Sequence, residues 1–390
     1  MIRLYLKSGR ERPVHNGHPW IFSGAVESVE GDAEAVGAAD VFDCKKNWLA
    51  RGLYNPKSQI RVRLLTWREE TIDRDFFARR IAQALKLRQD FLSTTTNAYR
   101  LINGEGDFLP GLIVDRYADF LVCQFFTAGL ELFKDDIVAA LSALEFVHGI
   151  FEKSEGRVRD EEGLGPSAGV LASPEPPDLI PIEENSFKFL VDVRRGQKTG
   201  FFLDQRDSRA FLATVARGRT VLDCFSYSGA FSLYALGGGA KEVITLDSSR
   251  PALELAEKIL ALNGFPDGGE LLKGDAFAYL KECGRTFDVI VLDPPSLAHR
   301  RSDVAAATGG YKFLNLHALR HLNPGGLLLT FSCSQHLSID LFQKVVFGAA
   351  VDTGRKASVV KRLGQPIDHP VSLHHPEAEY LKGLALRVLD

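Results

Sequence analysis

The sequence has few cysteines and places none of them in a metal-binding pattern. The five are scattered without a CxxC pair or a Cys/His spacing, at Cys44, Cys123, Cys224, Cys283 and Cys333, so we predict no metal site and expect free thiols in a reducing compartment. No stretch approaches the roughly 18 unbroken apolar residues of a membrane span. The start, MIRLYLKSGRERP, lacks an apolar signal core. We therefore expect a cytoplasmic protein without membrane contact.

The net charge of −3 excludes a nucleic-acid polycation as a description of the whole chain. Residues 1–68 nevertheless carry 11 Lys and Arg against 7 Asp and Glu, a net charge of +4 that leaves −7 for the remainder. A basic N-terminal module fits contact with phosphates, and it equally fits an ordinary solvated surface. The 390 residues, 45% of them hydrophobic, predict two or three globular domains.

The first two thirds of the chain change character several times. Short β-prone runs to about Trp67 predict a mostly-β module of five or six strands. A helix is expected from Asp73 to about Leu92, hairpins after it, and an amphipathic helix over 130–144. The Gly- and Pro-rich stretch 156–178 predicts an exposed loop. The runs SFKFLVDV and TGFFLDQR, on either side of RRGQK, predict a β hairpin.

From Arg219 onward, apolar strands alternate with helices. The predicted strands are TVLDCF, EVITLD, FDVIVLDPP and GGLLLTFSCS, and such continuous apolar runs indicate a parallel sheet covered on both faces. In sheets of this kind ligands bind beyond the carboxyl ends of the strands. We therefore look for functional residues at those ends.

Four carboxylates follow four successive strand-like segments. Asp223 precedes a turn in which Gly229 permits close approach of a ligand, and Asp247 is placed to accept hydrogen bonds from ribose hydroxyls. Asp275 is placed for the exocyclic amine of an adenine, and Asp293 opens the DPP element. A site for a nicotinamide dinucleotide typically has the motif GxGxxG, which FSYSGA lacks. This set predicts the adenosine-containing methyl donor S-adenosylmethionine.

Asp293 and Cys333 both lie at carboxyl ends of predicted strands. If those strands are neighbours, the two side chains face one pocket. A thiolate is a strong nucleophile, so the pair suits attack on C6 of a pyrimidine, which activates C5 for methylation, with Asp293 at the N3/N4 edge of cytosine. The alternative, a Cys333 buried in the core, stays open. Cys224 adjoins the cofactor turn and is interpreted as structural.

Several motifs of the chain resemble those of a known family. VLDCFSYSGAFS, FDVIVLDPPS, GYKFLNLHALRHLNPGG, LLTFSCS and FFLDQRDSR are similar to bacterial ribosomal RNA large subunit methyltransferase I, the cytosine-5 enzyme of 23S rRNA, and GRERPVHNGHPWIFSGAV resembles its PUA domain. The resemblance implies a PUA RNA-binding domain at 1–70, a small central α/β domain at 71–185, and a class I, Rossmann-like methyltransferase domain at 186–390 that begins with the hairpin.

The resemblance also implies roles for individual residues. Cys333 would be the nucleophile and Asp293 its partner, with ribosomal RNA, free or in a pre-ribosomal particle, as substrate. The oligomeric state stays open, a homodimer included. The residues implied to hold S-adenosylmethionine are Asp204, Gln205, Asp223, Phe225, Ser226, Gly229, Asp247, Asp275, Ala276 and Asp293.

Two other functions compete with cytosine-C5 methylation. An amino- or ring-nitrogen methyltransferase would need only the DPP element, with Cys333 structural, although Ser296 is not the aromatic residue that such enzymes often place after it. An RNA-binding assembly factor with an inactive methyltransferase domain is the second. The intact set of strand-end carboxylates and Cys333 argues against it.

Overall fold

The computed structural model describes residues 2–298 and 300–389, and the chain divides into two compact units. Unit 1 comprises 2–186, 191–203 and 367–378, and unit 2 comprises 187–190, 204–366 and 379–389. This division is coarser than the three predicted domains, whose boundaries at 70 and 185 stay predictions. Among the described residues, every helix is too short or too polar to cross a membrane.

Unit 1 is built from twelve strands and five helices within its described residues. In chain order they are β1 (Ile2–Leu6), α1 (Arg12–His15), β2 (Trp20–Phe22), β3 (Val26–Glu30), β4 (Gly37–Phe42), β5 (Trp48–Tyr54), β6 (Ile60–Thr66), α2 (Arg74–Phe91), β7 (Ala98–Asn103), β8 (Leu112–Tyr117), β9 (Phe120–Phe125), α3 (Ala128–Glu131), α4 (Lys134–Ser142), β10 (Gly149–Ser154), α5 (Arg157–Glu161), β11 (Ser167–Ala172) and β12 (Ile180–Glu184).

Eleven of these strands form two mainly antiparallel sheets. The first has the order β2-β6-β5-β4-β1-β3, which confirms the predicted mostly-β module, and the second has the order β11-β10-β9-β8-β7. Alternate residues such as Ile2, Leu4 and Leu6 of β1 are buried in the first core. Leu53 of β5 belongs instead to the hydrophobic cluster of the second sheet, so the two sheets share buried contacts.

Buried polar contacts fasten the distant segment 367–378 to unit 1. The guanidinium of Arg88 in α2 is buried and donates to both carboxylate oxygens of Asp107, at 2.5 and 2.8 Å, and to the Asp368 carbonyl at 2.7 Å. The Asp368 carboxylate accepts the Arg100 backbone N–H at 2.9 Å. Charge-assisted bidentate bonds of this kind are strong when solvent is excluded. They explain why this segment clusters with unit 1.

Three sequence expectations in this part of the chain are wrong. The stretch 156–178 contains α5 and the edge strand β11, which pairs antiparallel with β10. Its sequence, SAGVLA, is too poor in large apolar residues to signal a strand. The run TGFFLDQR forms no strand. Phe201 is buried in irregular backbone, and Leu203 is buried at the start of a 3₁₀ turn that precedes α6. The single helix expected over 130–144 is broken into α3 and α4.

Unit 2 holds the alternating strands and helices. They are β13 (Phe187–Val191, all but its last residue), α6 (Arg206–Val215), β14 (Thr220–Cys224), α7 (Ala230–Gly237), β15 (Glu242–Asp247), α8 (Arg250–Leu262), β16 (Glu270–Lys273), α9 (Ala276–Glu282), β17 (Phe287–Leu292), α10 (Val304–Arg320), β18 (Leu322–Ser332), α11 (Ile339–Thr353), β19 (Ala357–Leu363) and β20 (Lys382–Val388).

The sheet of unit 2 has the order β16-β15-β14-β17-β18-β20-β19. The five strands from β16 to β18 are parallel, as predicted, and successive residues such as Val221 and Leu222 enter separate hydrophobic clusters. Both faces are therefore buried, which explains the continuous apolar runs. The sheet is not parallel throughout, since β20 and β19 are antiparallel additions at one edge.

The strand order reverses between β14 and β17. The chain builds outward from β14 through β15 and β16, and then returns to place β17 on the other side of β14. In open α/β sheets the crevice at the carboxyl ends of such a pair of strands is the usual ligand site. Asp223 near the end of β14 and Asp293 just after β17 lie at this crevice.

Candidate active site

Asp223 is a buried carboxylate whose two oxygens have different surroundings. Oδ2 accepts the backbone N–H of Ser232 at 3.1 Å and its hydroxyl at 2.7 Å, and the Ser232 hydroxyl in turn accepts from Thr245 at 2.8 Å. Oδ1 is buried without a hydrogen-bond partner among the described residues. Burial, reinforced by the charges of Asp293 and Asp247, raises the pKa of Asp223 to about 7, although the bonds from Ser232 oppose this.

The turn after β14 is tightly wound. Phe225, Tyr227 and Gly229 all have left-handed backbone, with φ of +62°, +48° and +71°, a conformation that costs energy for the two aromatic residues. The hydroxyls of Ser226 and Ser228 are buried and lack partners in the described part of the chain. Such strain and unpaired oxygens cluster at ligand sites.

Gly229 is required by packing as well as by its backbone conformation. A Cβ built at this position would lie 2.9 Å from the Cβ of Ala256 in α8. The sequence suggested that this glycine admits a ligand. The structure adds a second reason, because only a glycine lets α7 begin this close to α8.

Asp247 and Asp275 are also at strand ends, and both already serve the backbone. Asp247 accepts the N–H groups of Tyr227 and Ser249, both at 2.8 Å, so it fixes the turn after β14. Asp275 caps α9 by accepting the Ala278 N–H at 2.9 Å and is itself exposed. Carboxylates have further lone pairs for a ligand. The adjoining Ala276 is buried.

Asp204 and Gln205 lie in a short 3₁₀ turn before α6, and both are buried. The hydroxyl of Tyr380 donates to Asp204 Oδ2 at 2.7 Å. Gln205 Oε1 is buried without a partner among the described residues. Asp204 is thus anchored within unit 2, while Gln205 keeps an acceptor available.

The crevice suits a polar, cationic cofactor. Buried acceptors without partners, on Asp223 and the two turn serines, can receive ammonium and hydroxyl donors. The neighbouring carboxylates Asp247 and Asp293 add negative charge, which favours a positively charged ligand. The sulfonium and amino groups of S-adenosylmethionine meet these requirements.

Cys333 follows β18 directly, and Asp293 follows β17. The two strands are adjacent and parallel, with Leu292 opposite Thr330, so the condition set by the sequence, that the strands be neighbours, is met. Cys333 is partly exposed. Cys224, by contrast, is fully buried in the core and burial raises the pKa of its thiol far above the ordinary range, in line with its structural interpretation.

Two buried serines hold the backbone on either side of Cys333. The Ser332 hydroxyl donates to the Tyr311 hydroxyl at 2.9 Å, and the Tyr311 and Ser334 hydroxyls are hydrogen-bonded at 2.9 Å. Tyr311 belongs to α10 and is fully buried. Because both neighbours are pinned to one side chain, the position of Cys333 is set by the helix as well as by the strand.

The same network reaches the segment after Asp293. Ser334 Oγ is 3.1 Å from the hydroxyl of Ser296 and accepts the backbone N–H of Ala298 at 3.2 Å. The two segments that carry Asp293 and Cys333 are therefore tied together by side-chain hydrogen bonds. A network whose members satisfy one another rigidifies a site.

Sequence reasoning missed most of this second group. The flanking pattern Ser-Cys-Ser was visible at 332–334, but nothing in it pointed to Tyr311. Lys382 was missed as well, although its ammonium donates to the Ser334 carbonyl at 2.7 Å. Its only signal was a lysine inside an apolar run, Lys382–Val388, since the pairing of β20 with β18 is a tertiary feature.

Five basic residues near residue 200 form a basic run whose members differ in burial: Arg194, Arg195, Lys198, Arg206 and Arg209. Arg206 and Arg209 are 3% and 1% exposed, so neither side chain is available at the surface for contact with RNA phosphates. Arg194 forms ion pairs with Glu175 and Asp178. This leaves Arg195 and Lys198 as the exposed basic residues of the run.

One side-chain group in unit 1 has the composition of a metal site. Ligand atoms of His18, His375 and Glu377 all lie within 4.8 Å of one another. His18 Nδ1 lies 3.1 Å from the Trp20 backbone nitrogen and 3.3 Å from the Trp20 carbonyl oxygen. His375 Nδ1 is 3.0 Å from Glu377 Oε2. These bonds describe a hydrogen-bonded cluster, so we assign it no metal.

Comparison with known proteins bears on both units. Residues 4–67 match a family described as a PUA-like domain, and residues 133–386 match one described as an S-adenosylmethionine-dependent methyltransferase. A methyltransferase crystallised with S-adenosylhomocysteine is similar over 100% of both chains, with a TM-score of 0.87 and 25% identity. Fold and site thus define an S-adenosylmethionine-dependent methyltransferase of the Rossmann-like class with an N-terminal PUA-like domain.

Two curated relatives are similar along nearly their whole length. The ribosomal RNA large subunit methyltransferase I of Tolumonas auensis is 45% identical over 393 residues, and that of Shewanella denitrificans is 47% identical over 395 residues, each covering 99% of both chains. The protein belongs to the ribosomal RNA large subunit methyltransferase I family. Its cofactor is S-adenosylmethionine.

Proposed function

We propose that this protein methylates C5 of a cytosine in the RNA of the large ribosomal subunit, with Cys333 as nucleophile and Asp293 as its partner. The observation that carries the proposal is the placement of these two residues after adjacent parallel strands, at the carboxyl edge that also holds the cofactor-compatible carboxylates. The names of the curated relatives support ribosomal RNA as the substrate. The PUA-like domain supports RNA binding.

We further propose that the cofactor lies in the crevice between β14 and β17. The buried oxygens without protein partners around Asp223 support this position. When bound, S-adenosylmethionine supplies an electrophilic methyl group on a positively charged sulfur. The residues proposed to line its site are Asp204, Gln205, Asp223, Phe225, Ser226, Gly229, Asp247, Asp275, Ala276 and Asp293.

In the proposed reaction the Cys333 thiolate attacks C6 of the cytosine. A sulfur–carbon bond forms, the C5–C6 π electrons move to C5, and Asp293 stabilises the protonated ring at its N3/N4 edge. C5 then carries the electron pair that would bond to the methyl group of a bound S-adenosylmethionine, whose methyl–sulfur bond would break and leave S-adenosylhomocysteine. Loss of the C5 proton to a base returns electrons to the C5–C6 bond, and the sulfur–carbon bond breaks to release the thiolate.

Transfer of a labelled methyl group to unmodified 23S rRNA, both as naked RNA and in precursor particles, tests the proposal. We expect 5-methylcytosine from the wild type and at least a thousandfold loss, roughly, in Cys333→Ala. Cys283→Ala is the matched control, because this residue is another partly buried thiol of unit 2 that adjoins a helix end. It should keep wild-type activity. Full activity of a folded, cofactor-binding Cys333→Ala protein would refute the nucleophile.

A covalent trap tests the adduct itself. RNA containing 5-fluorocytosine cannot lose its C5 substituent as a proton, so the sulfur–carbon bond should persist. We expect a denaturation-resistant protein–RNA complex with wild type and with Cys283→Ala, and none with Cys333→Ala. A product methylated on nitrogen, together with no trapped complex, would instead assign the protein to the amino- or ring-nitrogen methyltransferases.

A further inference from the structure

Lys382 is a buried lysine held against the loop that carries Cys333. It begins β20 and lies opposite Ser332 in the antiparallel pairing with β18. Its residue is only 6% exposed, and Nζ donates to the carbonyl oxygen of Ser334 at 2.7 Å. The ammonium group is therefore bonded to the backbone one residue beyond the cysteine.

Placing a lysine here has an electrostatic cost that a structural role does not explain. Burial lowers the pKa of Lys382 to about 8, while the charges of Cys333 and Glu379 oppose that shift. At pH 7 such a lysine is still protonated by roughly ten to one. A neutral donor could satisfy the Ser334 carbonyl equally well. The positive charge of Lys382 therefore indicates a nearby partner of negative charge.

Hydroxyl groups hold the backbone on either side of Cys333, and the carboxylate of Asp293 follows the adjacent strand. Tyr311 is bonded to both flanking serines, and burial, with a smaller contribution from Cys333, raises the pKa of its phenol. Ser296 contributes a hydroxyl to the same network. Glu379 is exposed, so solvent screens its negative charge. Lys382 thus brings a buried cation to the loop that carries Cys333, where the other groups are hydroxyls and the carboxylate of Asp293.

We propose that Lys382 is a positioning residue whose ammonium group stabilises the Cys333 thiolate, so that a larger fraction of the nucleophile is ionised at neutral pH than in an ordinary cysteine. The inference rests on the proposed function, in which Cys333 attacks the base. A cation beside a cysteine is one of the standard ways to favour its thiolate form. It acts through the sulfur and leaves recognition of the cytosine to Asp293.

The pH profile of Cys333 alkylation by iodoacetamide tests this in the full-length protein without RNA. Mass spectrometry of the Cys333 peptide follows this thiol alone, and the peptides of exposed Cys44 and partly buried Cys283 give internal controls. We expect the wild-type profile to have its midpoint below about 8.5, the value for an ordinary thiol. A midpoint at or above that value would overturn the proposal without any variant.

Two substitutions separate charge from structure. Lys382→Met keeps the length and removes the charge, and should raise the Cys333 midpoint by about one pH unit, which slows alkylation about tenfold at pH 7. Lys382→Arg keeps the charge and should restore most of the reactivity. The profiles of Cys44 and Cys283 should not move. An unchanged Cys333 profile in a folded Lys382→Met protein, or no recovery in a folded Lys382→Arg protein, would contradict the role of the charge.

The outcomes for Cys333 and Lys382 are distinguishable. If Cys333→Ala retains methyl transfer, the proposed nucleophile fails whatever the alkylation profile shows. If Cys333→Ala is inactive and Lys382→Met leaves the alkylation profile unchanged, only the role of Lys382 fails.

Discussion

The cofactor half and the nucleophile half of the site are built in opposite ways on one sheet edge. Around β14 and β15, buried oxygens of Asp223, Ser226 and Ser228 have no partners in the described protein, and negative charges accumulate. Around β18, the hydroxyls of Tyr311 and its neighbouring serines bond to one another, and Lys382 brings a positive charge.

The difference follows from what each half has to hold. A site that binds a cationic cofactor must leave acceptors open and tolerate strain until the ligand arrives. A site that presents a nucleophile must hold its backbone still, and saturated hydrogen bonds do this. Substitutions in the cofactor half should therefore act mainly on cofactor affinity, and substitutions in the nucleophile half mainly on the methylation rate.

The largest effect is expected from closing the space at the cofactor turn. Gly229→Ala adds a methyl group 2.9 Å from the Ala256 Cβ in a left-handed conformation. Left-handed strain of about 1–2 kcal/mol and overpacking of about 1–3 kcal/mol should both lower the free energy of unfolding, measured by urea denaturation, and weaken cofactor binding.

Gly264→Ala is the matched control for that substitution. Gly264 has a φ of +83° with nothing within 4 Å of a built Cβ, so it should show the strain alone. Equal losses at the two positions would mean that contact with α8 contributes nothing, and the cofactor half would then be less tightly packed than we infer.

A smaller effect, whose size depends on pH, is expected from substitution of Asp223. Its pKa is raised to about 7, so the carboxyl is mostly neutral at pH 6 and charged at pH 8. Asp223→Asn should bind S-adenosylmethionine about as well as wild type at pH 6 and about tenfold more weakly at pH 8. Calorimetric titration at both pH values measures this. The amino group of the cofactor titrates identically with both proteins, so the ratio of the wild-type affinity to the Asp223→Asn affinity at each pH reports on Asp223 alone.

The stability of the cofactor-free protein provides an independent check. The folded-state pKa of Asp223 lies above the ordinary value of 3.8, so its stabilising contribution is complete below pH 3.8 and is lost as the pH rises through about 7. Wild type should lose thermal stability between pH 5 and 8, on the order of 5 °C, and Asp223→Asn should lose less. The raised pKa of Asp223 would be contradicted if the melting temperatures of wild type and Asp223→Asn fell equally between pH 5 and 8. It would also be contradicted if the ratio of their cofactor affinities were the same at pH 6 and pH 8.

The smallest effect is expected from substitution of Tyr311 in the nucleophile half. Tyr311→Phe removes the hydroxyl shared by Ser332 and Ser334 and should cost about 1 kcal/mol of stability. Cofactor affinity should stay unchanged while the single-turnover methylation rate falls several-fold, because the backbone at Cys333 is less firmly held. If Tyr311→Phe lost cofactor affinity but kept its methylation rate, the proposed difference between the two halves would be wrong.

Much of the site was predictable because it repeats a local pattern. An apolar strand followed by an acidic residue recurs in unit 2, and the parallel order of β16 to β18 brings the ends of these strands to one edge. The position of Asp223, Asp247 and Asp293 at the ends of neighbouring strands therefore followed from the sequence, and their roles stay predictions. The edge strand β11 and the irregular segment around Phe201 did not, because the propensity of a Gly- and Ala-rich strand is weak and burial of an apolar pair does not require a strand.

The sequence by itself determined the alternation of buried strands and helices, the acidic strand ends and the candidate cysteine, since each depends on spacing within about ten residues. Tertiary structure alone decided which oxygens lack partners, which serines meet Tyr311, and that Lys382 lies beside the Cys333 loop. Ser332 and Lys382 are joined by strand pairing across a long separation in the chain. Long-range pairing depends on the packing of the whole unit, so no local pattern encodes it.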